Sequence, residues 1–283
     1  MDLALQVEAA VSAALAEDVG SGDLTAGLIA PEAVTRALVI SREEAVICGR
    51  PWFDAVFRRL DAACELTWLV AEGELVEPGR SLCEINGKAR ALLTGERTAL
   101  NFLQLLSATA TATHRHVEAV RGTNAQIVDT RKTIPGLRLA QKYAVRTGGG
   151  ANHRVGLHDG ILIKENHIAA AGGVSRALQR AIATAPAGVF VQVEVETLAQ
   201  MEQALAAGAS MILLDNFDLK GLRGAVAVNA GRASLEASGG VDLKSVRAIA
   251  ETGVDRISIG GLTKNIAAID LSMRFDALPR REL

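Results

Sequence analysis

Residues 189–217 read "VFVQVEVETLAQMEQALAAGASMILLDNF". The first seven positions are rich in β-branched and aromatic side chains and predict a strand over 189–195. An alanine-rich run predicts a helix over 197–207, and an apolar run over 209–214 predicts a second strand. Strand, helix and strand in about 25 residues make one parallel βαβ unit with a right-handed crossover.

The same alternation extends in both directions. Strand-forming runs fall at 126–129, 161–163, 226–228, 233–237 and 255–259, and helical runs include 174–184 and 242–252. Repeated units of this size predict a βα barrel, or a barrel-like variant, over residues 112–269. Upstream the texture differs. Residues 4–17 predict a helix, and "EDVGSGDLT" (17–25) a structured loop. The segments "TRALVISREEAVICG" and "CELTWLVAEGELVEPG", with a turn at Glu77-Pro78-Gly79 before "RSLCEING", predict short antiparallel strands. A long helix is expected from Gly95, with Leu100, Leu103 and Leu106 on one stripe. Residues 1–111 are therefore one domain, 112–269 the barrel, and 270–283 a tail that packs back on the N-terminal domain.

In a parallel barrel the chemistry belongs at the C-terminal ends of the strands, where the βα loops converge. Those positions carry Asp129 to Lys132, then Lys164-Glu165-Asn166-His167, Glu194, Asp215-Asn216, Ser238-Gly239-Gly240 and Gly260-Gly261. From Asp129 to Lys164 there are seven Arg and Lys residues (131, 132, 138, 142, 146, 154, 164) against two acids, with His153 and His158 among them. A solvated basic face is the plain interpretation of such a run. Against it, Arg131 and Lys132 border a strand end, and His153-Arg154 follow three consecutive glycines. Arginine grips a carboxylate or phosphate through a two-pronged fork, and lysine adds a compact charge.

Glu194 and Asp215, on different units, could ligate Mg²⁺ or accept from ribose hydroxyls. Magnesium usually takes only one or two protein carboxylates beside ligand phosphates. Glu196 shares a strand face with Glu194, so spacing leaves open which of them enters the site. Asp215 could equally cap the helix that follows. Gly239-Gly240 and Gly260-Gly261 suit a phosphate loop, although each pair alone is also an ordinary helix entry.

Other signals exclude. His114 and His116, two apart, do not share a helical face and make no zinc pair. No GxGxxG fingerprint, Walker loop, HExxH, nucleophile elbow or CxxC occurs. Cys48, Cys64 and Cys83 are far apart and odd in number, as expected of reduced thiols. The formal net charge of -2 gives no support for nucleic-acid binding. The start of the chain lacks a basic leader region, and no long uncharged apolar run is present, so a cytoplasmic protein away from membranes is expected.

Taken in order, "EDVGSGDLT", "ERTALNFLQ", "DTRKTIPGLR", "KYAVRTGGGANHRVGLHDGILIKENH", "VEVE", "LLDNF", "LEASGG" and "GVDRISIGGLT" resemble the quinolinate phosphoribosyltransferases over nearly the whole chain. Departures are the "SATATAT" run and the Gly-Gly of "SIGGLTKN", where many members carry an alanine and a histidine. The resemblance implies an α/β protein: an N-terminal α/β sandwich domain and an incomplete TIM-like α/β barrel. It implies a homodimer, or a higher oligomer built from it, with active sites completed across the interface. It further implies transfer of phosphoribose from phosphoribosyl pyrophosphate to quinolinate with loss of CO₂, in NAD biosynthesis, with Mg²⁺ and no organic cofactor.

By motif, Arg131, His153, Arg154 and Lys164 would surround quinolinate, with Lys132 beside the reacting groups and Arg97 reaching in from the partner. Glu194 and Asp215 would be the acids near ribose and magnesium, and Ser238, Gly239, Gly240, Gly260 and Gly261 the phosphate loops. Two other readings compete: a related transferase for a different aromatic acid, and a non-catalytic binder of phosphorylated metabolites.

Overall fold

The structure is a computed structural model and describes residues 3–276. The described residues form two compact units: 3–112, 135–148 and 266–276 make the first, and 113–134 with 149–265 the second.

The first unit contains α1 (Leu3–Val19), β1 (Val34–Ser41), β2 (Ala45–Val46), α2 (Arg50–Leu60), β3 (Glu65–Trp68), β4 (Leu75–Val76), β5 (Ser81–Lys88), most of α3 (Ala89–Ala119) and α4, which is Arg138–Thr147. The last strand of the chain, Leu271–Phe275, pairs antiparallel with β1 at the edge of a four-stranded sheet whose other members are β5 and β3. Residues 277–283 of the expected tail lie outside the described residues.

Helix α2 explains itself from its sequence. Trp52, Phe53, Val56 and Phe57 recur at the spacing of one helical face and are all buried, while Arg58 and Arg59 occupy its last turn. Leu100, Leu103 and Leu106 form the buried stripe of α3. The "SATATAT" run also has a local reason: Ser107 Oγ and Thr111 Oγ1 accept from the buried N–H groups of Cys48 (3.0 Å) and Val46 (2.8 Å), donors that would otherwise go unsatisfied. The sequence reading kept 112–269 as one run, whereas residues 135–148 group with the first unit because Ala140 and Ala144 of α4 are buried in its core. The three cysteines are free and buried.

The second unit holds β6 (Gln126–Val128), β7 (Gly160–Ile163), α5 (Glu165–Ala171), α6 (Val174–Thr184), β8 (Phe190–Val195), α7 (Leu198–Ala206), β9 (Met211–Asp215), α8 (Leu219–Asn229), β10 (Ser234–Ser238), α9 (Val246–Ala250), β11 (Arg256–Ser258) and α10 (Gly261–Lys264). Numbering the tail strand β12 completes the set. Six parallel strands pair in the order β6-β11-β10-β9-β8-β7. Each strand therefore adjoins its sequence neighbour except at the β6/β7 seam, where an incomplete barrel stays open.

The 226–228 run, read above as a strand, belongs to α8. Leu222, Ala225 and Asn229 are its buried positions, and that three-to-four-residue period outweighs the β-propensity of Val226 and Val228.

Candidate functional site

Alternation along the parallel strands builds the site. Side chains two apart point the same way, so Leu162 and Lys164, Gln192 and Glu194, Leu213 and Asp215, Glu236 and Ser238, and Arg256 and Ser258 each share a face, the second of each pair nearer the C-terminal end of its strand. The register steps between β8 and β9, so that Glu194 lies opposite Leu213. The residues nearer the strand ends supply the wall of a cavity of about 570 Å³. Lys132, Lys164, Glu194, Asp215, Ser238, Gly239, Gly240, Gly260 and Gly261 all line it. A smaller cavity of about 160 Å³ is lined by Arg131, His153 and Arg154. Thr130, Lys132, Lys164, Glu194, Ser238 and Ser258 belong to both walls, so the two hollows meet.

Arg131, Lys132, His153, Arg154 and Lys164 thus converge within the second unit, while Arg138, Lys142 and Arg146 sit on α4 of the first. Arg97 lies exposed on α3 of the first unit. The choice between Glu194 and Glu196 is resolved. Glu194 lines both cavities and takes two hydrogen bonds from Lys164 Nζ, at 2.9 and 3.2 Å, whereas Glu196 is exposed beyond the strand. Asp215 is not a helix cap either, because Asp218 performs that task by accepting from Gly221 N at 2.6 Å.

The segment carrying His153 and Arg154 runs along the open seam. Ala151 pairs with Val128 of β6, and His153 N–H donates to the buried Asp129 carboxylate at 2.8 Å. On the other side Arg154 Nη1 donates to the carbonyl of Gly160, the first residue of β7, at 3.0 Å. Burial lowers the proton affinity of the Arg154 guanidinium and nearby Arg131 lowers it further, with Asp159 acting the other way. Two guanidinium charges crowded in a half-buried hollow are relieved by a bound anion.

Close approach of backbone explains two of the glycines. A Cβ on Gly239 would fall 2.2 Å from Asn216 Oδ1, and its φ of +110° is itself unsuited to other residues. A Cβ on Gly260 would fall 2.9 Å from Lys132 Cδ, so this glycine lets the lysine stem lie against the loop. Lys132 is set by its neighbours: its N–H donates to Thr130 Oγ1 at 3.0 Å, and its carbonyl accepts from the buried Thr263 hydroxyl at 2.8 Å.

Sequence reasoning missed Asp242, Ser258, Lys264 and Asn265 on the larger wall and Glu236 on the smaller, and it placed Thr130 and Asn216 at strand ends without giving either a role. Glu236 was open to discovery, since stepping back two residues from Ser238 reaches it. Ser258 ends β11 and was equally open to period-two reading, whereas Asp242, Lys264 and Asn265 lie several residues past strand ends, where spacing gives no face.

For magnesium, the donor set is small. Among the described residues no group of three or more His, Cys, Asp or Glu is arranged to hold a metal ion. Glu194 and Asp215, on adjacent strands of one cavity, suit a hydrated Mg²⁺ that is also held by ligand phosphates. No helix among the described residues is long and apolar enough to cross a membrane.

A parallel barrel whose strand ends offer cations, two carboxylates and closely approaching glycines defines an α/β-barrel protein whose mouth has the chemistry to receive a polyanion. Comparison with known proteins narrows this. The model of the quinolinate phosphoribosyl transferase C-terminal domain matches residues 109–274, and that of the N-terminal domain residues 23–107. A probable nicotinate-nucleotide pyrophosphorylase [carboxylating] of Bacillus subtilis (strain 168) is 40% identical over 95% of this chain and 93% of its own. The nicotinate-nucleotide pyrophosphorylase [carboxylating] of Mycobacterium leprae (strain TN) is 42% identical over 92% of this chain and 94% of its own. The solved nicotinate-nucleotide pyrophosphorylase of Francisella tularensis superposes with a TM-score of 0.94 at 45% identity, covering 98% of both chains. The chain belongs to the quinolinate phosphoribosyltransferase family.

Proposed function

We infer that this protein transfers phosphoribose from phosphoribosyl pyrophosphate to quinolinate with decarboxylation, giving nicotinate mononucleotide, pyrophosphate and CO₂ for NAD biosynthesis. One observation carries the reading: an arginine-rich hollow and a glycine-lined hollow share the wall that holds Lys132, Lys164 and Glu194. Arg131, Arg154 and Lys164 match the two carboxylates of quinolinate, and the Gly239-Gly240 and Gly260-Gly261 loops match the phosphates. The shared wall lets the ring nitrogen meet the anomeric carbon.

In the first step the ring nitrogen forms a bond to that carbon as the bond to pyrophosphate breaks, and positive charge develops on the sugar. Glu194, beside the reacting centre, favours that charge and orients the ribose hydroxyls with Asp215. Lys132 faces the charge that builds on the leaving group. Glu194 and Asp215 would hold Mg²⁺, which when bound neutralises part of the pyrophosphate charge.

In the second step the nitrogen, now quaternary, is the electron sink. The bond from the neighbouring ring carbon to its carboxylate breaks, CO₂ leaves, and the electron pair stays on that carbon beside N⁺ until a proton replaces it. Lys132 supplies the cationic neighbour for that ylide, or the proton. No organic cofactor is required. The active form is a homodimer in which Arg97 of each protomer reaches the partner's site, and the enzyme works in the cytoplasm.

The test is to supply purified protein, Mg²⁺ and phosphoribosyl pyrophosphate with either quinolinate or nicotinate and to follow products by mass. Equimolar CO₂, pyrophosphate and nicotinate mononucleotide from quinolinate alone is the expected result. Pyrophosphate release with another aromatic acid in its place would transfer the reading to a related transferase, and binding without turnover would reduce it to a metabolite-binding protein.

A further inference from the structure

Beneath the site lies a chain of polar side chains that the proposed chemistry does not use. Gln192 and Glu236, on β8 and β10, are fully buried, and a carboxylate there needs a reason. Glu236 Oε2 accepts from Arg256 Nε at 3.0 Å and from Gln192 Nε2 at 3.2 Å. Gln192 Oε1 lies 2.8 Å from His153 Nε2. His153 Nδ1 in turn lies 2.8 Å from the backbone N of Arg154.

Two groups in this chain have only one role each, and they fix all the protons. A backbone amide can only donate, so His153 Nδ1 is the bare nitrogen and Nε2 carries the hydrogen. Nε2–H must therefore donate to Gln192 Oε1. An ionised carboxylate can only accept, so Gln192 must turn its NH₂ toward Glu236, which is the orientation the first requirement demands. The two ends of the relay agree.

We propose that Glu236 is a positioning residue for the acid-binding arginine, acting through Gln192 and His153. The Arg256 guanidinium holds the Glu236 carboxylate, the carboxylate orients the Gln192 amide, and the amide holds His153 in its neutral Nε2–H form. His153 then accepts the Arg154 N–H and fixes the backbone from which the Arg154 guanidinium reaches Gly160 O. His153 acts as a strut in the smaller cavity, its ring edge-on to Phe190 with centroids 5.4 Å apart, and does not serve as an acid or base. Glu236 Oε1, which has no hydrogen-bond partner among the described residues, lies 3.8 Å from His153 Nε2 and keeps a negative end beside that N–H.

The kinetic arm of the test rests on the proposed use of the smaller cavity for quinolinate; the spectroscopic arm does not. Glu236→Gln lets either amide turn over and removes one of the two fixed ends, leaving the Arg154 N–H alone to hold the His153 tautomer. In ¹⁵N-histidine-labelled protein, His153 is expected to give the Nε2–H tautomer signature in the parent and a mixture in Glu236→Gln. The KM for quinolinate is expected to rise about tenfold, with kcat and the KM for phosphoribosyl pyrophosphate moving much less. The exchange Gln192→Glu with Glu236→Gln keeps an acceptor for His153 and an amide beside it, so it is expected to restore both readouts.

An unchanged tautomer in Glu236→Gln overturns the proposal whatever the activity. Equal losses for both substrates that track lost thermal stability, without rescue by the exchange, overturn it in favour of a plain core role. If Glu236→Gln does not fold, the exchange variant decides alone: a folded protein with the parent tautomer and KM supports the relay, and any other outcome rejects it. A shifted tautomer with no quinolinate turnover in the parent retains the relay and removes the functional reading instead.

Discussion

Lys164 Nζ and the Glu194 carboxylate are joined by two hydrogen bonds, one to each oxygen, across neighbouring strands of the barrel. Lys164 is substantially exposed and Glu194 is nearly buried, so the lysine is the movable member of the pair. A dianionic ligand can draw the ammonium away, freeing Glu194 to face the sugar. In Glu194→Gln the amide oxygen accepts from Lys164 but carries no charge to set against a cationic sugar. Steady-state kinetics should give a kcat lower by roughly 10²-fold, with smaller changes in either KM. Lys164→Met should instead act on the KM for quinolinate.

Gly239→Ala tests the phosphate loop. The added methyl would collide with the Asn216 side chain and sit at a φ reserved for glycine, so the 239–240 loop must shift. The KM for phosphoribosyl pyrophosphate is expected to rise by at least tenfold, and thermal denaturation to report a loss of about 1–3 kcal/mol. Pairing it with Asn216→Gly removes the side-chain collision but leaves the 3.0 Å approach to the residue-216 backbone nitrogen and the strained φ, so it should recover only part of both.

How much of this was legible before the structure follows from the physics of each signal. Period-two alternation and alanine-rich helices made the barrel readable, because both patterns are set by local sequence. The 226–228 run was misread because two valines in an alanine-rich stretch satisfy either period, and only the burial of Leu222, Ala225 and Asn229 decides. Lys132, Glu194, Asp215 and the glycine pairs were singled out because they lie at or shortly past the C-terminal ends of strands. That Arg138, Lys142 and Arg146 belong to the first unit and Arg131 and Arg154 to the second could not be read, since chain proximity does not say which core a helix joins. Glu236 could have been placed on the site face by its spacing from Ser238, but its links to Gln192 and His153 could not be read, because a buried polar residue inside an apolar strand carries no local mark of its partners.

Burial penalises the charge on Arg154, and the nearby Arg131 guanidinium adds to that penalty. A ligand with two carboxylates should relieve this better than one with a single carboxylate. Quinolinate at about 100 times its Kd should stabilise the fold by ~2.7 kcal/mol, and nicotinate at the same concentration by much less. Differential scanning fluorimetry with the two acids measures this, and Arg154→Ala should abolish most of the difference.

Asp159 anchors the turn before β7, accepting from Val155 N at 2.7 Å and Gly156 N at 2.8 Å. Burial pushes its carboxyl up, but these two N–H groups together with nearby His158 outweigh that and hold it below its ordinary value. A carboxyl lowered by folding adds stability that is fully present above its unfolded pKa and is lost as pH falls through the folded one. Asp159→Asn should therefore destabilise the protein at neutral pH and flatten the acid side of its stability curve. Urea midpoints between about pH 7 and pH 3 test the sign: parent and variant should converge at the acid end.

Burial also protects the thiols, raising Cys64 to about 11 and Cys83 to about 12. Because the thiolate is the nucleophile, neither should react at neutral pH with a maleimide while the protein is folded. Cys48, fully buried and pushed up likewise by desolvation, should behave the same way. Intact mass should show no adduct on native protein and three on denatured protein, matching the three free cysteines.

Arg97 offers the sharpest test of assembly. It is exposed on α3, and the proposed reaction assigns it to the partner's site, whereas Lys164 serves the site of its own protomer. Assayed with quinolinate well below its KM for the variants, Arg97→Ala and Lys164→Ala should each be nearly inactive as homodimers. Refolded together, the two variants form mixed dimers in which one site lacks both residues and the other has both. Random pairing makes about half of the dimers mixed, so close to a quarter of parent activity should return if the oligomer is a closed dimer with shared sites. If Arg97 acted within its own protomer, each mixed dimer would hold two singly damaged sites and mixing would restore nothing.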